Sequence, residues 1–301
     1  MLSGEKVKKG TKPSWLKVKL PSHQNFFYVS EVLKKHRLHT ICQSAKCPNI
    51  SECWAQKTAT FLILGDTCTR RCSFCAVKKG IPQAPSPEEP DHVAEAVDKL
   101  RLSYAVITSV TRDDLSDGGA SQFVETIRAI KKKNLAVKVE VLIPDFKGDD
   151  KALTAVAEAK PDIINHNLET VEALYPQINR PKKNYQRSLD VLEKSKENGM
   201  ITKSGLMVGL GEKEEEIVQT FSDLRKVSCD LLTIGQYLQP TKTNASIKRY
   251  YSPQEFDRLK RTALSFGFSD VASGPLVRSS FEAHKLYKTS QKMAQAKQCA
   301  I

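Results

Sequence analysis

The run Phe61-Leu62-Ile63-Leu64-Gly65-Asp66-Thr67-Cys68-Thr69-Arg70-Arg71-Cys72-Ser73-Phe74-Cys75 joins an apolar tetrad to three closely spaced cysteines. The tetrad reads as a buried strand bounded by Gly65. Cys68, Cys72 and Cys75 therefore sit on a loop leaving the carboxyl end of a strand, where α/β folds and barrels put their chemistry. Three thiolates on so short a loop can hold three corners of an iron–sulfur cluster. A cubane has four irons, so one iron is left without a protein ligand, and an open coordination position is what a catalytic metal needs. The competing reading of the same triplet is a zinc knuckle.

Working outward, 301 residues suffice for one α/β domain or barrel. A composition of 40% apolar and 27% charged residues is that of a globular protein. No run approaches the roughly 18 apolar residues of a membrane helix. Met1 to Lys12 is lysine-rich without an apolar core, which argues against a secretory signal. The expectation is a cytoplasmic protein with reduced thiols and no membrane association. Of the eight cysteines, six fall between Cys42 and Cys75, while Cys229 and Cys299 stand alone. That crowding favours metal ligation over disulfides. Cys229 reads as a small buried hydrophobe and Cys299 as part of a disordered tail.

The net charge of +13 is compatible with nucleic acid, an acidic partner protein, or solubility alone. No lysine run is interleaved with aromatics as a single-strand-binding groove is, so solvated faces are the first reading, an acidic partner the second, and nucleic acid is not expected.

Residues 1–30 read as an extended basic arm and residues 31–39 as a short helix with Val32 and Leu33 inside. A second cysteine set follows: Cys42, Cys47 and Cys53, with gaps of four and five residues. A zinc site recruiting His36 or His39 is one reading, though zinc sites favour tighter paired spacings. Next to the first triplet, a second cluster is the better one. Further strands are expected at 104–109, 137–143, 162–166, 202–208 and 231–236, and helices at 120–132, 152–159, 185–197, 213–226 and 253–266, with a basic helix beyond Phe281. Repeated strand–helix units predict parallel strands with right-handed crossovers.

The three-then-two spacing of Cys68, Cys72 and Cys75, with Phe74 before the last, resembles the binding motif of the radical SAM superfamily. The double triplet as a whole resembles the lipoyl synthase family. So do Leu38-His-Thr-Ile-Cys42, Cys47-Pro-Asn-Ile-Ser-Glu-Cys53-Trp54, Arg112-Asp-Asp-Leu-Ser-Asp-Gly-Gly119, Leu142-Ile-Pro-Asp145, Asn167-Leu-Glu169, Gly209-Leu-Gly-Glu212 and Arg278-Ser-Ser280. The resemblance spans about residues 13–290. It implies a partial (β/α)6 TIM-like barrel at 58–270, an N-terminal extension at 1–57 carrying Cys42, Cys47 and Cys53, and a C-terminal extension at 271–301 with the Arg-Ser-Ser motif.

It also implies two 4Fe–4S clusters. One is held by Cys68, Cys72 and Cys75 and binds S-adenosylmethionine. The other is held by Cys42, Cys47, Cys53 and a serine oxygen, Ser280 being favoured over Ser279. Phe281 stands where the family usually has tyrosine, which costs a hydroxyl but keeps both serines. Thr108, Asn167, Glu169, Arg187 and Gly209 are the expected cofactor contacts; alone, each also reads as an ordinary strand-end polar residue or turn former, and Arg187 as a solvent-facing helix residue. Lys203 and Ser204, at the start of a strand, read as part of the polar ring around the mouth, and His166 reads foremost as a structural histidine.

The implied reaction is the reductive cleavage of two S-adenosylmethionine molecules. The resulting radicals remove hydrogen from C6 and C8 of a lysine-linked octanoyl chain, and sulfur from the second cluster enters both positions. Methylene carbons carry no acidic proton, so acid–base catalysis cannot do this and a closed, dry site is required. The implied partners are octanoylated lipoyl domains or a glycine-cleavage H-type carrier protein, an electron donor such as a ferredoxin or flavodoxin, and an iron–sulfur carrier for cluster repair. A monomer is expected, since no long apolar seam is visible. Two alternatives stand beside this: a zinc-dependent nucleic-acid-binding module, and radical methylthio transfer to tRNA. The long strand–helix pattern opposes the first, and the absence of room for an extra RNA-binding domain opposes the second.

Overall fold

The computed structural model describes residues 12–298 except Lys19, with side chains described to residue 291. Residues 1–11 of the basic arm and Cys299 thus lie outside the described residues. Among the described residues between 12 and 23 there is one 3-10 turn, Ser14–Leu16, and no strand or α-helix.

The arm ends earlier than expected, because helix α1 spans Gln24–Lys35. The imidazole of His23 accepts the N–H of Asn25 as its cap, and Val29, Val32 and Leu33 point inward. Exposed Phe27 and Tyr28 blur that period in the sequence. Arg37, at φ +52°, breaks the chain out of helix, so residues 36–39 are not helical. Strand β1 (His39–Thr40) leads into the short helix α2 (Ile41–Ser44), and α3 (Ile50–Ala55) follows. Strand β2 (Thr60–Ile63) is buried at every position. Two short strands, β3 (Thr67–Cys68) and β4 (Lys78–Lys79), pair in parallel around the cysteine loop.

From there strands and helices alternate: α4 (Glu89–Lys99), β5 (Tyr104–Ser109), α5 (Ala120–Lys133), β6 (Lys138–Leu142), α6 (Asp150–Glu158), β7 (Ile163–Asn165), α7 (Lys183–Glu197), β8 (Thr202–Val208), α8 (Glu214–Lys226), β9 (Leu231–Gln236), α9 (Pro253–Ser265), β10 (Asp270–Gly274) and α10 (Ala283–Gln298). Local chemistry accounts for several ends. Three glutamates open α8 and three lysines close α5, as the helix dipole favours. Ser252 and Glu255 form a reciprocal capping box ahead of α9, with Pro253 in its first turn.

The main sheet runs β1-β2-β5-β6-β7-β8-β9-β10. Only the β1–β2 pair is antiparallel. The six strands expected from sequence are β2 and β5 to β9, so the α/β partial barrel expected from sequence is the fold observed. The edge strands β1 and β10 were not anticipated, nor was α4. β10 carries Ser273 and Gly274 and lacks an apolar run; α4 is masked by the acidic residues and Pro90 at its start. Helix α10 lies across the amino ends of the strands, where Ala283 and Leu286 pack with Tyr104, Val106, Ile163 and Leu231. That leaves the carboxyl end of the sheet as the open mouth.

Inside the sheet, Lys203 at the start of β8 ion-pairs with Glu140 of β6 at 2.8 Å, both fully buried. Glu140 also accepts from Tyr104 at 2.6 Å and from Asn165 at 3.1 Å. Lys203 is therefore a member of an internal polar network and does not ring the mouth.

Candidate active site

The cysteine loop begins where β2 ends in two successive left-handed residues, Leu64 at φ +68° and Gly65 at φ +89°. A left-handed leucine is costly, and two buried groups hold it. The Leu64 N–H donates to the Glu89 carboxylate at 2.8 Å, and Arg112 donates to the Leu64 carbonyl at 3.3 Å. Arg70, within the loop, makes a two-pronged contact with Asp113 at 2.8 and 2.9 Å and reaches Asp145 at 2.5 Å. Those aspartates follow β5 and β6, so the loop is bolted across neighbouring strand ends. Asn244 adds donors to the carbonyls of Ser73 and Cys75 at 2.9 and 3.0 Å. The amides of Arg70 and Thr111 both donate to the Cys68 sulfur at 3.4 Å.

Cys42 lies on α2 and Cys53 on α3, with Cys47 in the turn between them. Asn49, in that turn, donates to the carbonyl of Leu276 at 2.7 Å. The N-terminal cysteine segment is thereby joined to the segment that carries Arg278, Ser279 and Ser280. A single cavity of about 350 Å³ at the carboxyl end of the sheet is lined by all six of these cysteines and by both serines.

The donors fit iron–sulfur clusters. None of the described cysteines forms a disulfide. Among the described residues, no three His, Cys, Asp or Glu side chains close on one ion, as a structural zinc requires; a cubane is a larger object and wants its thiolates farther apart. Burial pushes the Cys42 and Cys75 thiols up to about 11 and Cys53 up to about 12. Burial also raises Cys47 and Cys72, with Arg278 pulling back on the first and Arg180 on the second. Such thiols become thiolates readily only against added positive charge, which metal supplies.

Of the expected cofactor contacts, Thr108, Asn167 and Glu169 line the cavity. Glu169 stands at φ +71° and is stitched to β8 by its own backbone, donating to Gly205 at 3.0 Å and accepting from Met207 at 2.8 Å. Burial raises its carboxyl to about 7, opposed by Arg180 and Asn167. Arg187 does not line this cavity. It faces a separate surface hollow on α7, with its guanidinium 3.5 Å from Asp145. Gly209 also stands outside the lining. It forms, with Leu210 and Gly211, a turn whose three N–H groups converge on the Glu212 carboxylate at 2.6, 2.9 and 3.1 Å. A side chain at Gly209 would meet Gln236 Nε2 at 2.2 Å.

His166 lines the cavity yet has both ring nitrogens engaged, Nδ1 with the Ile143 carbonyl at 2.8 Å and Nε2 with the Ser188 hydroxyl at 3.0 Å. Burial lowers it to about 4, so it is neutral. Cys229 is fully buried, as expected for a small hydrophobe. The serines differ: Ser279 donates to Asn167 Oδ1 at 2.9 Å, while Ser280 has no hydrogen-bond partner among the described residues.

Sequence reasoning missed Arg180. It stands beside Glu169 and Cys72 in the cavity wall, and its Nε and Nη1 are buried without a partner. Only its place after the left-handed Asn179 and before Pro181 marks it in the sequence, and no periodicity singles it out.

Residues 62–224 match the Radical SAM superfamily. The crystal structure of HydG, a maturase of the FeFe hydrogenase, superposes with a TM-score of 0.57 at 13% identity, over 83% of this chain and 71% of that one. Streptococcus suis SuiB bound to S-adenosylmethionine gives 0.55 at 12% identity, over 74% of this chain and 53% of that one. The fold is thus that of a radical SAM protein, and residues 62–224 belong to that superfamily. A lipoyl synthase of Rubrobacter xylanophilus is 55% identical over 276 residues, covering 91% of this chain and 86% of the relative. One of Caldicellulosiruptor saccharolyticus is 53% identical over 279 residues, covering 92% and 98%. The chain belongs to the lipoyl synthase family of the radical SAM superfamily.

Proposed function

We propose that the cavity is where sulfur is inserted into a protein-bound octanoyl chain, with Cys68, Cys72 and Cys75 holding one 4Fe–4S cluster and Cys42, Cys47, Cys53 and Ser280 the other. The observation that carries this reading is that both thiol triplets line one cavity. When bound, the clusters and S-adenosylmethionine supply the radical chemistry and the sulfur. The chain's own side chains orient and enclose. Arg180, with two unpartnered N–H groups, suits the methionine carboxylate of the cofactor. Thr108, Asn167 and Glu169 suit its remaining polar edge. Val77, Val110 and Leu238 offer an apolar wall for the alkyl chain and keep water out. Ser280 is preferred as the oxygen ligand because the Ser279 hydroxyl is already committed to Asn167.

The same reading divides the chain at about residues 57 and 270. It also makes an octanoylated lipoyl domain or H-type carrier the substrate, a ferredoxin or flavodoxin the reductant, and an iron–sulfur carrier the source of repair. It places a monomer in the cytoplasm. Among the described residues no helix is long and apolar enough to cross a membrane.

Two variants test the division of labour. Cys72→Ala is expected to abolish cleavage of S-adenosylmethionine. Cys47→Ala is expected to retain cleavage to 5′-deoxyadenosine but to form no lipoyl product. Lipoyl formation by Cys47→Ala would remove that triplet from the reaction.

A further inference from the structure

We propose that Gly205 and Gly235 are positioning residues: together they form a slot without side chains in the inner wall of the sheet, which seats residues 277–280 at the cavity, with Asn167 as the latch. The proposal rests on the reading of Ser280 as a cluster ligand and explains how the chain brings that serine into place.

Glycine inside a strand weakens it, by about 0.5–1 kcal/mol relative to alanine, and marks a place where another backbone or a ligand comes close. Gly205 lies inside β8 and Gly235 inside β9. Neither has a positive φ, so the backbone itself would accept a side chain at either position. In the parallel register Gly205 is opposite Thr233 and Met207 is opposite Gly235. Side chains alternate along strands, so the two glycines share a face, offset by two residues along neighbouring strands.

What excludes a side chain there is the C-terminal segment. A Cβ at Gly235 would stand 2.1 Å from the Val277 carbonyl oxygen and 3.1 Å from its carbon. Those are backbone atoms, and they can yield only if the segment moves. A Cβ at Gly205 would stand 2.5 Å from Asn167 Oδ1 and 2.7 Å from Ser279 Oγ. Those two atoms are the partners of the 2.9 Å hydrogen bond that ties the segment to the mouth. From the other side the segment is held by Asn49 through the Leu276 carbonyl. A serine oxygen is a weaker iron ligand than a thiolate, so its encounter with the cluster depends on where the backbone puts it. The slot does that placing, and Asn167 joins it to the Glu169 edge of the same cavity.

The test is hydrogen exchange on the cluster-loaded full chain under anaerobic conditions, comparing wild type with Gly235→Ala and Gly205→Ala. In Gly235→Ala, peptides covering residues 275–282 are expected to exchange at least about tenfold faster, while peptides from β8 and β9 keep wild-type protection. Gly205→Ala meets only the side-chain ends of Asn167 and Ser279, so its effect on the same peptides is expected to be smaller. That variant carries the test if Gly235→Ala does not fold. Unchanged exchange at 275–282 in both glycine variants would overturn the proposal. So would protection lost throughout β8 and β9, since the glycines would then serve the sheet. Ser280→Ala separates this inference from the one beneath it. If that variant keeps full iron content and lipoyl formation while Gly235→Ala still frees the segment, the slot stands and the ligand assignment falls.

Discussion

The arginines at the mouth differ in whether a carboxylate of the protein holds them. Arg70 is committed to Asp113 and Asp145, and Arg187 leans on Asp145. Arg180 has two N–H groups buried without a partner. A hydrogen bond to a charged group contributes about 1.5–3 kcal/mol, so Arg180→Met should weaken S-adenosylmethionine binding on the order of tenfold to a hundredfold. Anaerobic calorimetric titration measures this, and an unchanged Kd would remove Arg180 from the cofactor site. His166 makes a pH prediction. Its folded value of about 4 lies below the ordinary 6.5, so the unfolded chain takes up the proton first. The stability this contributes is present above pH 6.5 and is lost as pH falls towards 4, about 3 kcal/mol at most. Urea unfolding at pH 7 and pH 4.5 should show a shallower loss for His166→Gln than for wild type; equal losses would contradict a buried neutral histidine. The cysteines were legible in the sequence because covalent spacing alone brings three sulfurs together. Arg180 was not, because its role comes from what stands opposite it across the cavity, on elements far away in the chain.

At the scale of elements, apolar runs gave the central strands away, β2 and β9 most plainly, since strands buried on both faces lose their alternation. β10 and α4 lacked that signal, and the start of α1 depends on a histidine cap that is not among the usual ones. The interior network of Tyr104, Glu140, Asn165 and Lys203 was also hidden. A lysine and a glutamate 63 residues apart show no pairing until β6, β7 and β8 stand side by side. With both partners fully buried, Glu140→Ala strands a charge and should cost about 3–5 kcal/mol, whereas Glu140→Leu with Lys203→Met should recover most of it. Equilibrium urea unfolding of the three proteins decides this. Full stability in the single variant would mean that the pair is not desolvated.

At the scale of the whole molecule, the site is assembled from both ends of the chain. Asn49 and Leu276 meet across 227 residues, and the two cysteine sets share one cavity only because the N-terminal extension and residues 276–281 fold over the same mouth. The order of the motifs was readable in the sequence, but their convergence was not, since it depends on the open edge that β1 and β10 leave and on the glycines that let a backbone enter the wall. The central claim is that two cubanes occupy this one space. Iron and sulfide analysis of the anaerobically isolated protein, with its absorption spectrum, tests this most directly. The prediction is about eight irons and about eight sulfides per chain with brown absorption. About four of each would mean one cluster and no internal sulfur source, and zinc without colour would contradict the account altogether.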